Sequence, residues 1–334
     1  MQKKLLIIGK RSGILQWYEN ILAAAHQSPD YEIQGFALNH NNTTDRFLKK
    51  LLPNKDIYTA NLLKKKLQTF QPDLILIADL FYFNDHLLQV LADFPCKKAH
   101  WIGDFFDERL LKSKDVIDLY CFTDSSFIED ARAMGLNHAI YLPLAYNPNV
   151  FFSSNEQKDD RLLFVGAWSP DRQELIEQIP LPLTVYGKGW DKLSKSNSIV
   201  HPHNIPLTEV AELYRTHRYI LNVINKKNIR QGMNMRCFEA PACGCILVSE
   251  YVEDLNYAFD IKNEIISFEN PQELQLKLKD PIISAEAAMY KVQQSHTFDI
   301  LPDLKDGDSS CETLMSERKN IQCGIYIPIM ERTA

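Results

Sequence analysis

The sequence predicts an α/β fold of two doubly wound, Rossmann-like lobes facing a cleft, and three observations carry that prediction. Short continuous apolar runs alternate with amphipathic segments, as buried parallel strands alternate with their crossover helices. The alternation breaks at a wholly polar run, residues 153–160, and then resumes. The chain has 334 residues, and a single core stops growing beyond roughly 250 to 300.

In the first lobe, residues 5–8, 33–38, 74–78, 99–102, 119–122 and 139–142 read as strands. Residues 14–25 and 124–134 have helical spacing, the latter opening on Asp124-Ser125-Ser126 as a cap and closing on Gly135. The pattern loosens after Pro143, which sets a first domain at residues 1–150. The second, residues 161–298, reads as strands at 162–165, 183–186, 219–223, 245–248 and 264–268. Helices are predicted at 171–178, from Thr208 with Val210, Leu213 and Tyr214 on one face, at 235–243 and at 271–278. Residues 299–334 are polar and aperiodic, and a loosely packed tail is expected there.

Composition narrows the function. Lys and Arg number 37 against 43 Asp and Glu, a net charge of -6, which is the wrong sign for a surface that grips nucleic acid. The basic run at 64–66 reads as a solvated helix face. Seven cysteines form neither a paired framework nor a zinc pattern, which fits a reducing cytoplasm. Cys243 and Cys245 read as small buried thiols, and His201 and His203 as a loop pair, so no metal is expected. The start, Lys3-Lys4-Leu5-Leu6-Ile7-Ile8-Gly9, is too briefly apolar for a signal peptide. No run reaches the ~18 apolar residues of a membrane span, so any membrane contact is peripheral.

Candidate chemistry gathers at strand ends. Gly9-Lys10-Arg11-Ser12-Gly13 either holds an anion or makes a tight turn, and it lacks the spacing of the known phosphate loops. Gly166-Ala167-Trp168-Ser169-Pro170-Asp171-Arg172 puts an arginine just inside a helix and suits a diphosphate; the plain alternative is a cap at Asp171 and a surface Arg172. Tyr186-Gly187-Lys188-Gly189-Trp190 places two glycines where a ring or sugar can approach the backbone. The densest stretch is 222–244. There Asn234 caps a helix carrying Arg236 and Glu239 on one face. An arginine so placed meets phosphate oxygens, and a carboxylate accepts hydrogen bonds from paired ribose hydroxyls. The alternative is a surface Arg–Glu ion pair.

At these residues the second lobe resembles the glycosyltransferases of the GT-B fold, specifically the CgeB-like (spore maturation protein) group of group 1 transferases. The resemblance runs over roughly residues 161–296. It rests on Leu163-Phe164-Val165-Gly166, Val185-Tyr186-Gly187-Lys188-Gly189-Trp190, Ile220-Leu221-Asn222-Val223, Asn263-Glu264-Ile265, and the run from Gly232-Met233-Asn234-Met235-Arg236 to Glu239-Ala240-Pro241-Ala242-Cys243-Gly244. In the first lobe Thr123-Asp124-Ser125, Gly135 and Tyr141-Leu142-Pro143-Leu144-Ala145 look like the same group. The resemblance implies transfer of a sugar from a nucleotide-sugar donor to an acceptor hydroxyl or amine. Glu239 matches the second carboxylate of the related E-x7-E element and would hold the donor ribose, with Gly166, Arg172, Arg230 and Arg236 near the diphosphate. Gly187, Lys188, Asn222, Gly232 and Asn234 complete the expected donor site. The first position of that element is Gln231 rather than Glu, which leaves the stereochemistry open. After Ser295-His296-Thr297-Phe298 the sequence departs from the group's basic residue and short helical end.

The acceptor, whether glycan, lipid-linked or protein, and the base belong to the first lobe. His100 and Asp104 flank a strand end there and are the expected base; the alternatives are a buried histidine and a capping aspartate. No cofactor is expected beyond the donor, since arginines and helix termini can stabilise the leaving diphosphate. The rivals are a degenerate transferase serving as a structural, assembly or nucleotide-sugar-binding protein, and a nucleotide-sugar epimerase.

Overall fold

The computed structural model describes residues 2–11, 17–25, 31–193, 198–279 and 283–297. They fall into two compact units, Met1–Pro143 with Lys227–Ile229, and Leu144–Lys226 with Arg230–Thr297.

In the first unit the order is β1 (Lys3–Gly9), α1 (Trp17–Ala25), β2 (Tyr31–Ala37), α2 (Thr43–Leu51), α3 (Lys55–Phe70), β3 (Leu74–Ala78), α4 (Asp85–Ala92), β4 (Lys97–Ile102), β5 (Leu119–Phe122), α5 (Phe127–Ala133) and β6 (Ala139–Tyr141). The strands pair in parallel in the order β2-β1-β3-β4-β5-β6. All five residues of β3 are buried, which explains its unbroken apolar run. Helices start where short polar side chains satisfy free amides: Asn42, Asn54 and Asn84 accept from Asp45, Ile57 and Leu87. The winding reverses between β1 and β3, so their carboxyl ends form this sheet's crevice.

The second unit runs β7 (Asp159–Val165), α6 (Pro170–Gln178), β8 (Leu183–Tyr186), β9 (Ile199–His201), α7 (Leu207–Thr216), β10 (His217–Asn222), α8 (Arg236–Ala242), β11 (Ile246–Glu250), α9 (Leu255–Ala258), β12 (Ile266–Phe268), α10 (Pro271–Lys277) and α11 (Ala285–Ser295). Its parallel order, β12-β11-β10-β7-β8-β9, is the 3-2-1-4-5-6 arrangement of dinucleotide-binding sheets, with the reversal between β7 and β10.

Four details differ from the sequence reading. The polar run 153–160 gives its last two residues to β7, and Lys158 is half-buried, its Nζ donating to the carbonyls of Arg215 (3.1 Å) and Cys243 (3.2 Å). His201 ends a strand, stacked on Tyr186 with ring centroids 4.2 Å apart. Residues 144–150 group with the second unit, because Tyr146 donates its N–H to the His296 carbonyl (2.9 Å) and bridges to Thr297. Helix α11, absent from the sequence reading, buries Ala288 and Val292. The expected tail, 299–334, lies outside the described residues, as do Ser12, Gly13 and residues 14–16 of the first predicted helix.

Candidate functional site

In the second unit the reversal point brings the ends of β7 and β10 together, and Arg236 spans them. The N-cap of α8 is Met235, without a side-chain cap, rather than the expected Asn234; Asn234 stands one residue earlier and its Oδ1 accepts from the Arg236 N–H at 3.0 Å. The guanidinium then donates to the Tyr214 hydroxyl (3.2 Å) and to Asn222 Oδ1 (2.9 Å), and also to the Val165 carbonyl. Asn222, fully buried at the end of β10, donates to Ser249 Oγ (3.0 Å) and accepts from Asn234 (2.7 Å). Arg236 is therefore first a brace of the reversal point, with part of its fork already committed to protein.

Arg172 stands beside it. Ser169 caps α6 and Pro170 opens it, and one turn later the Arg172 Nη1 donates to the Ala167 carbonyl at 2.9 Å. Its Nε is buried with no hydrogen-bond partner among the described residues. Both guanidinium groups lie beside the Phe164 ring, 5.7 Å and 5.3 Å from its centroid for Arg172 and Arg236. Burial, then the charge of Arg236, push the Arg172 pKa down to about 10, with Glu250 pulling the other way. Two cations held this close in partial burial favour an anion between them.

Gly166 closes the β7 end. Its N–H donates to the Tyr186 carbonyl (2.8 Å) and its own carbonyl accepts from Trp190 Nε1 (2.7 Å). Gly187 has φ +145°, and a Cβ there would collide with that carbonyl, so its glycine is explained by strand-end packing. Lys188 is exposed, as is Arg230, while Gly232 is buried on the segment leading to α8.

Glu239 is the exceptional acid. It is 6% exposed, and no hydrogen bond reaches its carboxylate among the described residues. Burial holds its pKa up at about 7, and Arg236 lowers it only partly; no ion pair joins the two. A surface Arg–Glu pair is thus not what α8 carries. In this unit sequence reasoning missed Glu250, at the end of β11. It accepts from the Ile224 N–H at 2.7 Å and faces Arg172 electrostatically. Its place at a strand's carboxyl end was the available signal.

In the first unit the two residues singled out separate. His100 is fully buried in β4, with ring contacts to Phe83 (5.8 Å) and Tyr120 (6.1 Å). Its Nε2 lies 3.0 Å from the Asp79 carbonyl and so carries the proton, and burial pushes its pKa down to about 4. It sits inside the strand rather than at its end, which suits the structural alternative. Asp104, in the loop after β4, is half-buried; burial raises its pKa, while Asn228 and Lys10 lower it. Asp79, missed in the sequence, joins it at the strand ends with φ +79°, its carboxyl also raised by burial and by Asp104. Of the two non-glycine residues with positive φ among the described residues, Gln71 ends a helix, whereas Asp79 directly follows a strand.

A glycosyl transferase-like family pattern matches residues 171–299. No curated protein matches the chain. Among solved structures it is similar to sucrose-phosphate synthase from Thermosynechococcus elongatus, at 12% identity over 95% of this chain and 98% of that one, TM-score 0.62. Anabaena HepE, solved with UDP and glucose, is 11% identical over 95% and 99%, TM-score 0.61. AviGT4, a glycosyltransferase involved in avilamycin A biosynthesis, is 12% identical over 96% and 98%, TM-score 0.60. At these identities the likeness is one of fold: the chain has the two-lobe α/β fold of GT-B glycosyltransferases, and the glycosyl transferase-like pattern lies within its second lobe.

Proposed function

We propose that the chain transfers a sugar from a nucleotide-sugar donor to an acceptor hydroxyl or amine, with the donor held at the carboxyl edge of the second sheet. The observation that carries this is Glu239, a buried carboxylate with no hydrogen-bond donor, on the helix whose first residue meets Arg172 beside Phe164. Paired ribose hydroxyls supply the missing donors, and the diphosphate is the anion that two guanidinium groups favour. In HepE, UDP and glucose are the bound molecules.

In the reaction the bond from the sugar's anomeric carbon to the diphosphate oxygen breaks, and that oxygen keeps both electrons. The acceptor oxygen or nitrogen forms the new bond and its proton passes to a base. Arg172, with the donors Arg236 has left, stabilises the charge building on the diphosphate, so turnover proceeds unchanged in a chelator. Asp104 suits the base better than His100, since a base must reach its substrate and His100 is fully buried. Asp104→Asn then lowers turnover at saturating donor; full turnover in that variant moves the base elsewhere. The motif from Gly232 to Gly244 favours the CgeB-like group, and the free thiols of Cys96, Cys121, Cys237, Cys243 and Cys245 favour the cytoplasm. No helix among the described residues is long and apolar enough to cross a membrane.

The test is a calorimetric titration with UDP, GDP, dTDP and their sugar conjugates, with Glu239→Ala alongside. One nucleotide binding the parent protein and not the folded variant supports the reading. A well-folded parent that binds none overturns it in favour of a structural or assembly role.

A further inference from the structure

Helix α2 is amphipathic in the inverse sense for a domain that faces only water. Its one buried residue is Asp45, while Phe47 and Leu51, four apart and so on one face, are 62% and 65% exposed. The turn into α3 adds Leu52 at 37% and Ile57 at 40% exposed. Scattered exposed apolar side chains are ordinary; four within eleven positions form a patch that something covers. The helix is well anchored through its polar side. Asn42 caps it, and Lys49 reaches both Asp45 (3.5 Å) and the Leu38 carbonyl (3.0 Å).

Charge identifies the covering partner. Arg46, Lys50 and Lys55 are exposed around the patch, with Asp56 the one exposed carboxylate between residues 46 and 57. Lysine is depleted from protein–protein interface cores but abundant on helices that lie in a bilayer surface. Beside α2, a cavity of about 580 Å³ is lined by Arg11, Lys65 and Lys66 and by one carboxylate, Asp45, which is paired with Lys49. Tyr18, only 3% exposed, also lines it. Gly35 leaves the Tyr18 hydroxyl its room, for a Cβ there would collide with the oxygen.

We propose that α2 and the turn after it dock this protein on an anionic lipid bilayer. Phe47, Leu51, Leu52 and Ile57 enter the boundary between headgroups and acyl chains. Arg46, Lys50 and Lys55 lie at the level of the lipid phosphates, and the cavity beside α2 takes one lipid's phosphate. The proposal is independent of the donor chemistry, since every residue in it belongs to the first unit.

The full chain is sedimented with vesicles of phosphatidylcholine, with and without phosphatidylglycerol. Binding to the anionic vesicles alone is expected, weakening as salt rises. Lys50→Gln weakens it about fivefold, from ~1 kcal/mol per cation near such a surface. The double variant Phe47→Glu/Leu51→Glu abolishes it, whereas Leu276→Glu, at a comparably exposed leucine of the second unit, leaves it intact. Unchanged circular dichroism confirms that the variants fold. Equal binding to both vesicle types, or binding that survives the double variant, overturns the proposal. So does a dimer in the absence of vesicles that the double variant dissolves, which assigns the face to a second copy.

Discussion

A carboxyl group buried without donors announces itself by its titration. Glu239 has its folded-state pKa raised from 4.5 to about 7 by burial, so the folded protein keeps a proton that the unfolded chain has released. Stability from this residue is therefore greatest below about pH 4.5 and falls as pH rises toward 7, by up to about 3 kcal/mol. Glu239→Gln removes that slope: urea midpoints of variant and parent should converge or cross in the variant's favour between about pH 5 and about pH 8. Ribose hydroxyls donate to the ionised form, so nucleotide affinity of the parent should rise with pH through about 7 and stay flat in the variant. Parallel slopes in calorimetry would sink the ribose assignment. The two arginines divide differently. Arg236→Ala strands the Asn222, Tyr214 and Val165 oxygens and should cost roughly 3 kcal/mol of stability. Arg172→Ala removes one carbonyl contact and a like-charge neighbour, so it should change stability by less than about 1 kcal/mol. It should still weaken nucleotide binding about tenfold or more. Chemical denaturation and calorimetry on both variants separate brace from binder.

At the scale of elements, the strand ends of the second sheet are fixed by backbone contacts that tolerate little. Gly187→Ala adds a Cβ against the Gly166 carbonyl at φ +145° and should lower stability by about 1–3 kcal/mol, read as a lower urea midpoint. Strands were the most legible elements, because parallel strands covered on both faces are unbroken apolar words: β3, β5 and β8 have the bounds the sequence implies. The edge strand β9 is only three residues long and half-exposed, so its hydropathy carries no such signal. Helices α2 and α11 were illegible for opposite reasons: α2 exposes its apolar residues and buries an aspartate, and α11 buries only Ala288 and Val292. In the site, Arg172 and Glu239 were readable from their distance to a strand end, but the partners of Arg236 were not. Tyr214, Asn222 and Val165 come from three different elements, and only the sheet order brings them to one guanidinium.

At the scale of the whole molecule, each sheet has its own buried core. Leu6, Ile77 and Phe122 belong to one, and Phe164, Leu221 and Val248 to the other. Units with separate cores need not melt together. Arg172, Arg236 and Glu239, the residues proposed to hold the donor, all lie in the second unit, and a ligand stabilises only what it binds. A nucleoside diphosphate at a hundredfold excess over its Kd adds about 2.7 kcal/mol to the folded state it binds. For a domain of this size that should move its melting transition upward by roughly 5–10 °C. Scanning calorimetry should accordingly resolve two transitions, of which nucleotide shifts one. Glu239→Ala should abolish the shift while leaving the other transition where it was, and Phe47→Glu/Leu51→Glu should alter neither the shift nor its size. A single transition that moves as a whole would mean that the two cores unfold as one cooperative body, and the stability effects of first-unit and second-unit variants would then have to be read on a common scale.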